Sequence, residues 1–163
     1  MTQTEILLKE FKAEAEKTRN MLEKVPDDKF DWTPHPKSGT IKWLSTHLAD
    51  IARWPDFMLA TKELDFQNMP YQVDAINNRE ELLRYFEKAR QLGQSGLEEA
   101  KEEDLEKEWT LRNGDYIIQQ DPVRDFIRMA ISQTIHHRAQ LGVYLRLLDI
   151  PIPGSYGPSA DEM

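Results

Sequence analysis

The stretch that most constrains this chain runs from Asp121 to Leu148, where apolar residues recur at helical spacing and polar ones interrupt the inward stripe. Phe126, Ala130, Leu141, Tyr144 and Leu148 mark one face, and the spacing continues through Gln133 and His137 as though both were core positions. Burying an unpartnered imidazole or amide costs on the order of 1–3 kcal/mol. Gln133 and His137 therefore need partners, and one turn of separation lets both reach a common point. A metal ion, another polar side chain or a buried water would each serve. The same stretch carries Ile127, Ile131 and Ile135 on a second face. A helix that is apolar on two sides is either central in its own fold or shared with a second subunit, and the expectation drawn from it is a homodimer.

The rest of the chain supplies helices to surround it. Thr4 to Glu23 places Leu7, Phe11, Thr18 and Leu22 on one face and ends at Pro26 and Asp27-Asp28. From Phe30 to Gly39, two prolines and a glycine exclude regular structure. A second helix is expected from Thr40 to about Leu64, with Ile41, Leu44, Leu48, Ile51 and Met58 as its stripe and His47 beside it. Pro55 predicts a kink or early end near Trp54. Asp65 to Asn78 reads as a long crossover loop packing over a site. Arg79 to Ala100 predicts a third helix with Leu82, Phe86, Ala89, Gly93 and Leu97 inward, followed by an acidic run in which Glu102, Glu103 and Asp104 read as a solvated face. Asn113-Gly114 between β-forming residues predicts a two-stranded ribbon over Trp109 to Ile118. Asp121 is the expected cap of the fourth helix, with Pro122 at its first position.

The economical architecture is all-α: a four-helix bundle over residues 1–150 with a long crossover and a small β-hairpin between helices 3 and 4. Residues 151–163, rich in Pro and Gly, form a non-helical tail that lies over the surface or trails free. At 163 residues the chain is long enough for one real core. A net charge of −8 with no basic cluster argues against a nucleic-acid partner. No run is apolar and long enough for a membrane, and no export leader is visible, so a soluble cytoplasmic protein is expected. With no Cys, thiolate ligands, disulfides and a cysteine nucleophile are all excluded.

What chemistry remains rests on imidazole and carboxylate. Of the four histidines, His47 and His137 face the interior from different helices, and with Gln133 they would occupy three facial positions around a divalent ion. Such an ion would acidify a bound water, and the loops over the open face would choose a small-molecule substrate. The bland alternative is a hydrogen-bonded structural histidine. Asp50, one turn after His47, would orient that imidazole or act as a base, although most helical carboxylates are simply solvated. His136 points about 100° away from His137 and reads as a supporting or interface residue. Arg138 reads as a surface or interface ion-pairing group and His35, between two prolines, as a loop packing residue.

The series Leu44-Ser45-Thr46-His47-Leu48-Ala49-Asp50, then Ile135-His136-His137-Arg138-Ala139-Gln140, then Ile152-Pro153-Gly154-Ser155-Tyr156-Gly157-Pro158-Ser159 resembles the DinB-like superfamily of four-helix bundles over essentially the whole chain. The resemblance implies a homodimer and a divalent metal, often nickel or zinc, held by one histidine of the second helix and two, four residues apart, of the fourth. Relatives include S-transferases and isomerases that use mycothiol, bacillithiol or glutathione. The ligands carry over to His47, Gln133 and His137, with Gln133 standing where the family has histidine, and an amide oxygen coordinates such metals more weakly. The implied activity is that of a metal-dependent hydrolase or thiol S-transferase whose low-molecular-weight thiol arrives as a cosubstrate. The alternative is a metal-free dimeric bundle that binds a small ligand around a vestigial site.

Overall fold

A computed structural model describes residues 1–68, 73 and 75–163, and among these the protein is mostly helical with a small three-stranded sheet. Helix α1 (Gln3–Leu22) starts at a reciprocal cap, in which the Thr2 hydroxyl accepts from the Glu5 amide and the Glu5 carboxylate accepts from the Thr2 amide. Glu102, expected only to be solvated, also sits at this helix start, where its carboxylate accepts from the Thr4 amide at 2.8 Å and the Gln3 amide at 3.2 Å. An acidic group at the positive end of a helix is favourable even when exposed.

The helix expected from Thr40 to Leu64 is two helices, α2 (Ile41–Ile51) and α3 (Trp54–Ala60). Pro55 lies in the first turn of α3, where its missing N–H costs nothing, and a single helix running through it would have lost a bond there. The chain then forms β1 (Glu63–Asp65), which the hydropathy pattern did not reveal. The crossover expected over 65–78 therefore begins in a strand, and its positions 69–72 and 74 lie outside the described residues. Asn78 caps α4 (Arg79–Glu99), followed by the short α5 (Glu102–Leu105), β2 (Glu108–Asn113), β3 (Tyr116–Pro122) and α6 (Val123–Leu147).

The predicted hairpin is thus part of a three-stranded sheet, ordered β1-β2-β3, one strand more than expected in a protein that is otherwise mostly helical. β2 and β3 are antiparallel around Gly114, whose φ of +59° suits a residue without a Cβ, while β1 adds in parallel with Leu64 opposite Leu111. The Asp65 carboxylate ties the two connections together, accepting from the amides of Gly114 at 2.9 Å and Gln67 at 3.0 Å. β3 runs straight into α6, so the cap position is Pro122 and Asp121 belongs to the strand, its carboxylate accepting from the Gln119 amide at 2.8 Å.

Helices α1, α2 and α3 each pack on both α4 and α6. Gly93 permits the closest of these approaches, because a Cβ there would lie 2.0 Å from the Ala52 carbonyl at the end of α2. Ile127 and Ile131, the second apolar face of α6, are buried in this chain's own core, and Ile135 packs against it. That face is filled from within, Ile131 bordering the same small hollow as Phe11 and Thr18 of α1, Leu48 of α2 and Phe86 of α4, so it gives no argument for a second subunit. The tail beyond α6 is held down: Arg146 donates to Asp161 at 3.0 Å, and the Ser159 hydroxyl donates to the Ile152 carbonyl at 2.6 Å. No helix among the described residues is long and apolar enough to cross a membrane.

Candidate functional site

The stripe on α6 and the histidine of α2 meet. His47 and His137 lie with ring centroids 4.9 Å apart at 75°, and Gln133 lines the same hollow as His47. All three are partly buried. Helical geometry explains it: α2 packs on α6, and Gln133 and His137, four residues apart, stack on the face turned to α2. His136, the next residue along, is exposed, its ring 5.0 Å from that of His137. His35 is exposed rather than packed, and its Nδ1 accepts from the Lys37 amide at 3.0 Å.

Two tryptophans frame the histidines. Trp43 stacks on His47 at 5.3 Å and 16° and presents its edge to His137 at 6.4 Å, while Trp54 meets His47 edge-on at 5.7 Å. Neither stood out in the sequence. Trp43 precedes His47 by one helical turn, which is the spacing at which α-helical side chains touch, and that was the available signal. Trp54 follows the break after α2, where no spacing rule reaches.

Asp50 is buried one turn beyond His47, and its carboxylate accepts from Arg53 Nε at 2.7 Å, Trp54 Nε1 at 3.1 Å and the Tyr85 hydroxyl. These bonds link α2, α3 and α4 behind the histidine and fix Trp54 against it. Burial pushes the His47 imidazole below its usual pKa, and His137 adds to that, while the Asp50 charge and the Gln133 side chain pull the other way. His137 Nδ1 lies 2.9 Å from Gln140 Oε1. With that oxygen as acceptor, Nδ1 carries the hydrogen and Nε2 keeps its lone pair.

His47 is a common wall of two hollows. One, of about 310 Å³, is apolar and bounded by α3, the sheet and α6. The other, of about 430 Å³ and more open, is bordered by Thr40, Lys42, Trp43, Thr46 and Asp50. Thr46 Oγ1 on that side is buried without a hydrogen-bond partner among the described residues.

Arg138, one residue beyond His137, is not the surface group expected of it. It is 2% exposed, and its terminal nitrogens donate to the Glu14 carboxylate at 2.6 Å, the Glu14 carbonyl at 3.1 Å, the Thr18 hydroxyl at 3.2 Å and the Tyr156 hydroxyl at 2.8 Å. Tyr156 in turn donates to Glu14 at 2.8 Å, and Lys17 donates to the other Glu14 oxygen at 2.9 Å. Burial alone would raise the Glu14 pKa, but the bonds from Lys17, Arg138 and Tyr156 outweigh it and hold the carboxyl below its usual range. The Tyr-Gly-Pro-Ser piece of the tail thus serves to tie the C-terminus to α1 and α6.

The same arrangement of helices recurs in solved structures. A DinB-like protein of Bacillus subtilis, YjoA, superposes with a TM-score of 0.72 at 19% identity over 91% of this chain and 96% of that one. A DinB-like protein of Bacillus cereus superposes with a TM-score of 0.69 at 19% identity over 92% and 95%. Likeness at that identity shows the fold alone. No curated protein matches the sequence. The sequence pattern of the DinB family, however, matches residues 1–163 from end to end, and the chain belongs to that family.

Proposed function

We propose that this protein, read as a four-helix bundle with an inserted sheet, is a divalent-metal-dependent enzyme holding its ion with His47, His137 and the Gln133 amide oxygen. Nickel and zinc are the ions that imidazole donors suit. The observation that carries the reading is the convergence of two imidazoles from different helices, with the Gln133 side chain lining the same hollow as one of them. Among the described residues, no group of three His, Cys, Asp or Glu side chains could hold a metal ion, so the third donor has to be the amide. This donor set is neutral and open, which fits a weakly held ion with positions left for reactants.

The ion, when bound, would acidify a water or a small thiol. The chain's own residues do the rest. Burial keeps His47 neutral, so its lone pair is available near pH 7. The Gln140 bond aims His137 Nε2 away from the surface oxygen that holds Nδ1. Trp43 and Trp54 cover the imidazoles, and Asp50 keeps Trp54 in place. The two hollows on either side of His47 suit a reaction of two small molecules, which favours thiol S-transfer over hydrolysis.

The rival is a metal-free ligand-binding fold, favoured by the partners the histidines already have without an ion, Gln140 at His137 and the Trp43 ring stacked on His47. Tag-free protein incubated with nickel, zinc or manganese and analysed for metal should retain about one equivalent, as structured sites with deprotonated ligands do. Retention below about a tenth of an equivalent from all three overturns the metalloenzyme reading and leaves the rival. Gln133→His should tighten binding at least roughly tenfold, because it replaces an amide oxygen by imidazole.

A further inference from the structure

The apolar hollow beside His47 has an unusual distribution of polarity. Trp54, Phe57, Trp109, Phe126 and Met129 are among its walls, Leu64 and Leu111 close it from the sheet, and no charged side chain among the described residues lines it. Both indoles on its wall have already used their only donor elsewhere: Trp54 Nε1 donates to Asp50 at 3.1 Å, and Trp109 Nε1 donates to the Thr61 hydroxyl at 3.0 Å. Each therefore offers the hollow carbon alone. Among the described residues, the hydrogen-bonding side chains that remain in the lining are His47 and Gln133. A space that is apolar throughout and polar at one end excludes ions, which would lose their hydration without a partner. It accepts a flat apolar body whose single polar atom faces the imidazole and the amide.

The volume agrees. An apolar cavity of roughly 150 Å³ already takes up benzene, and this one is about twice that, at about 310 Å³. It lies at the lower end of the range of small-molecule sites. The sheet is what makes it, since Leu64 of β1 and Leu111 of β2 stand opposite each other in the parallel pair.

We propose that this hollow is the acceptor subsite and that the molecule it takes is an uncharged, two-ring-sized aromatic or similarly compact apolar group carrying one hydrogen-bonding function at its His47 end. The inference rests on the proposed function for its role in a reaction but not for binding, which needs no metal. The test uses the full chain stripped of metal with a chelator, ¹³C-labelled at methionine methyls, and 2-naphthol as the probe. Met58 and Met129 line the hollow, whereas Met21 lies against Gly142 in another part of the molecule. Saturable shifts of the Met58 and Met129 methyls with a Kd below about 1 mM, and none at Met21, are expected for a ligand of this size. The charged isostere 2-naphthoate should bind at least roughly tenfold more weakly. Leu111→Trp, which fills the hollow from the sheet, should weaken 2-naphthol at least roughly tenfold.

No saturable shift of the two methyls, shifts centred on Met21, or equal affinity for naphthoate overturns the proposal. So does unchanged affinity in a folded Leu111→Trp variant, and if that variant does not fold, the wild-type methyl shifts decide alone. Because no metal is present, these results fail or succeed independently of the metal titration above.

Discussion

His137 and Arg138 are neighbours on α6, yet they belong to polar clusters of opposite character. Around Arg138 the accounts are closed: four bonds leave its terminal nitrogens, Glu14 accepts on both carboxylate oxygens, and Tyr156 both accepts and donates. Around His137 the polar atoms are fewer and one stays open, since Nδ1 is engaged and Nε2 has no hydrogen-bond partner among the described residues. A saturated buried network fixes geometry, because losing any member strands the others. An unsaturated one retains lone pairs for something that arrives. The lesson is that polarity in a core stripe does not by itself indicate chemistry; the count of unused donors and acceptors separates a staple from a site.

The largest test of that contrast is Arg138→Ala. It leaves the Glu14 carboxylate buried without its main partner, so urea unfolding should show a loss of about 3–5 kcal/mol. Metal retention and naphthol binding by the folded fraction should be unchanged. A loss below about 1 kcal/mol, typical of an exposed pair, would erase the distinction. His137→Ala should do the reverse, lowering nickel or zinc affinity at least roughly a hundredfold through loss of a ligand while costing stability only about 1 kcal/mol. An equal loss of stability in both variants would mean that His137 is a structural member like its neighbour.

The smallest effect is the dependence on pH, and it sharpens the comparison. The folded His47 has its pKa lowered from 6.5, so the unfolded chain binds the proton first and stability declines as pH falls below that value. Glu14 has its pKa lowered from 4.5, so its contribution is present above that pH and is lost as pH falls through the folded value. In urea midpoints measured against pH, His47→Gln should therefore flatten the decline just below pH 6.5, and Glu14→Gln the decline below 4.5. A shared window would show that the two clusters titrate as one.

Much of the framework was legible because helical order is local. The extent of α4, the break at Pro55, the Asn113-Gly114 turn and the inward stripe of α6 all depend on residues within a few positions of one another. The convergence of His47 with Gln133 and His137 was inferred from stripe positions; the two imidazoles meet, and Gln133 lines the same hollow as His47. Other features depended on partners far along the chain. β1 is too short to leave a periodic trace and exists because β2, more than forty positions later, pairs with it. The second face of α6 looked like an interface only because the cover supplied by α1, α2 and α4, far away along the chain, could not be foreseen.

What the amino-acid order determined unaided was the course of α1, α4 and α6, which of their faces turn inward, and which polar residues stand on those faces. What tertiary structure alone decided was the fate of each polar residue: Arg138 closed into a staple by Glu14 and Tyr156, His47 and His137 left with room beside them. The reason is physical. Spacing sets the direction of a side chain through the helix that carries it, whereas satisfaction of its hydrogen bonds is set by groups that only packing brings near.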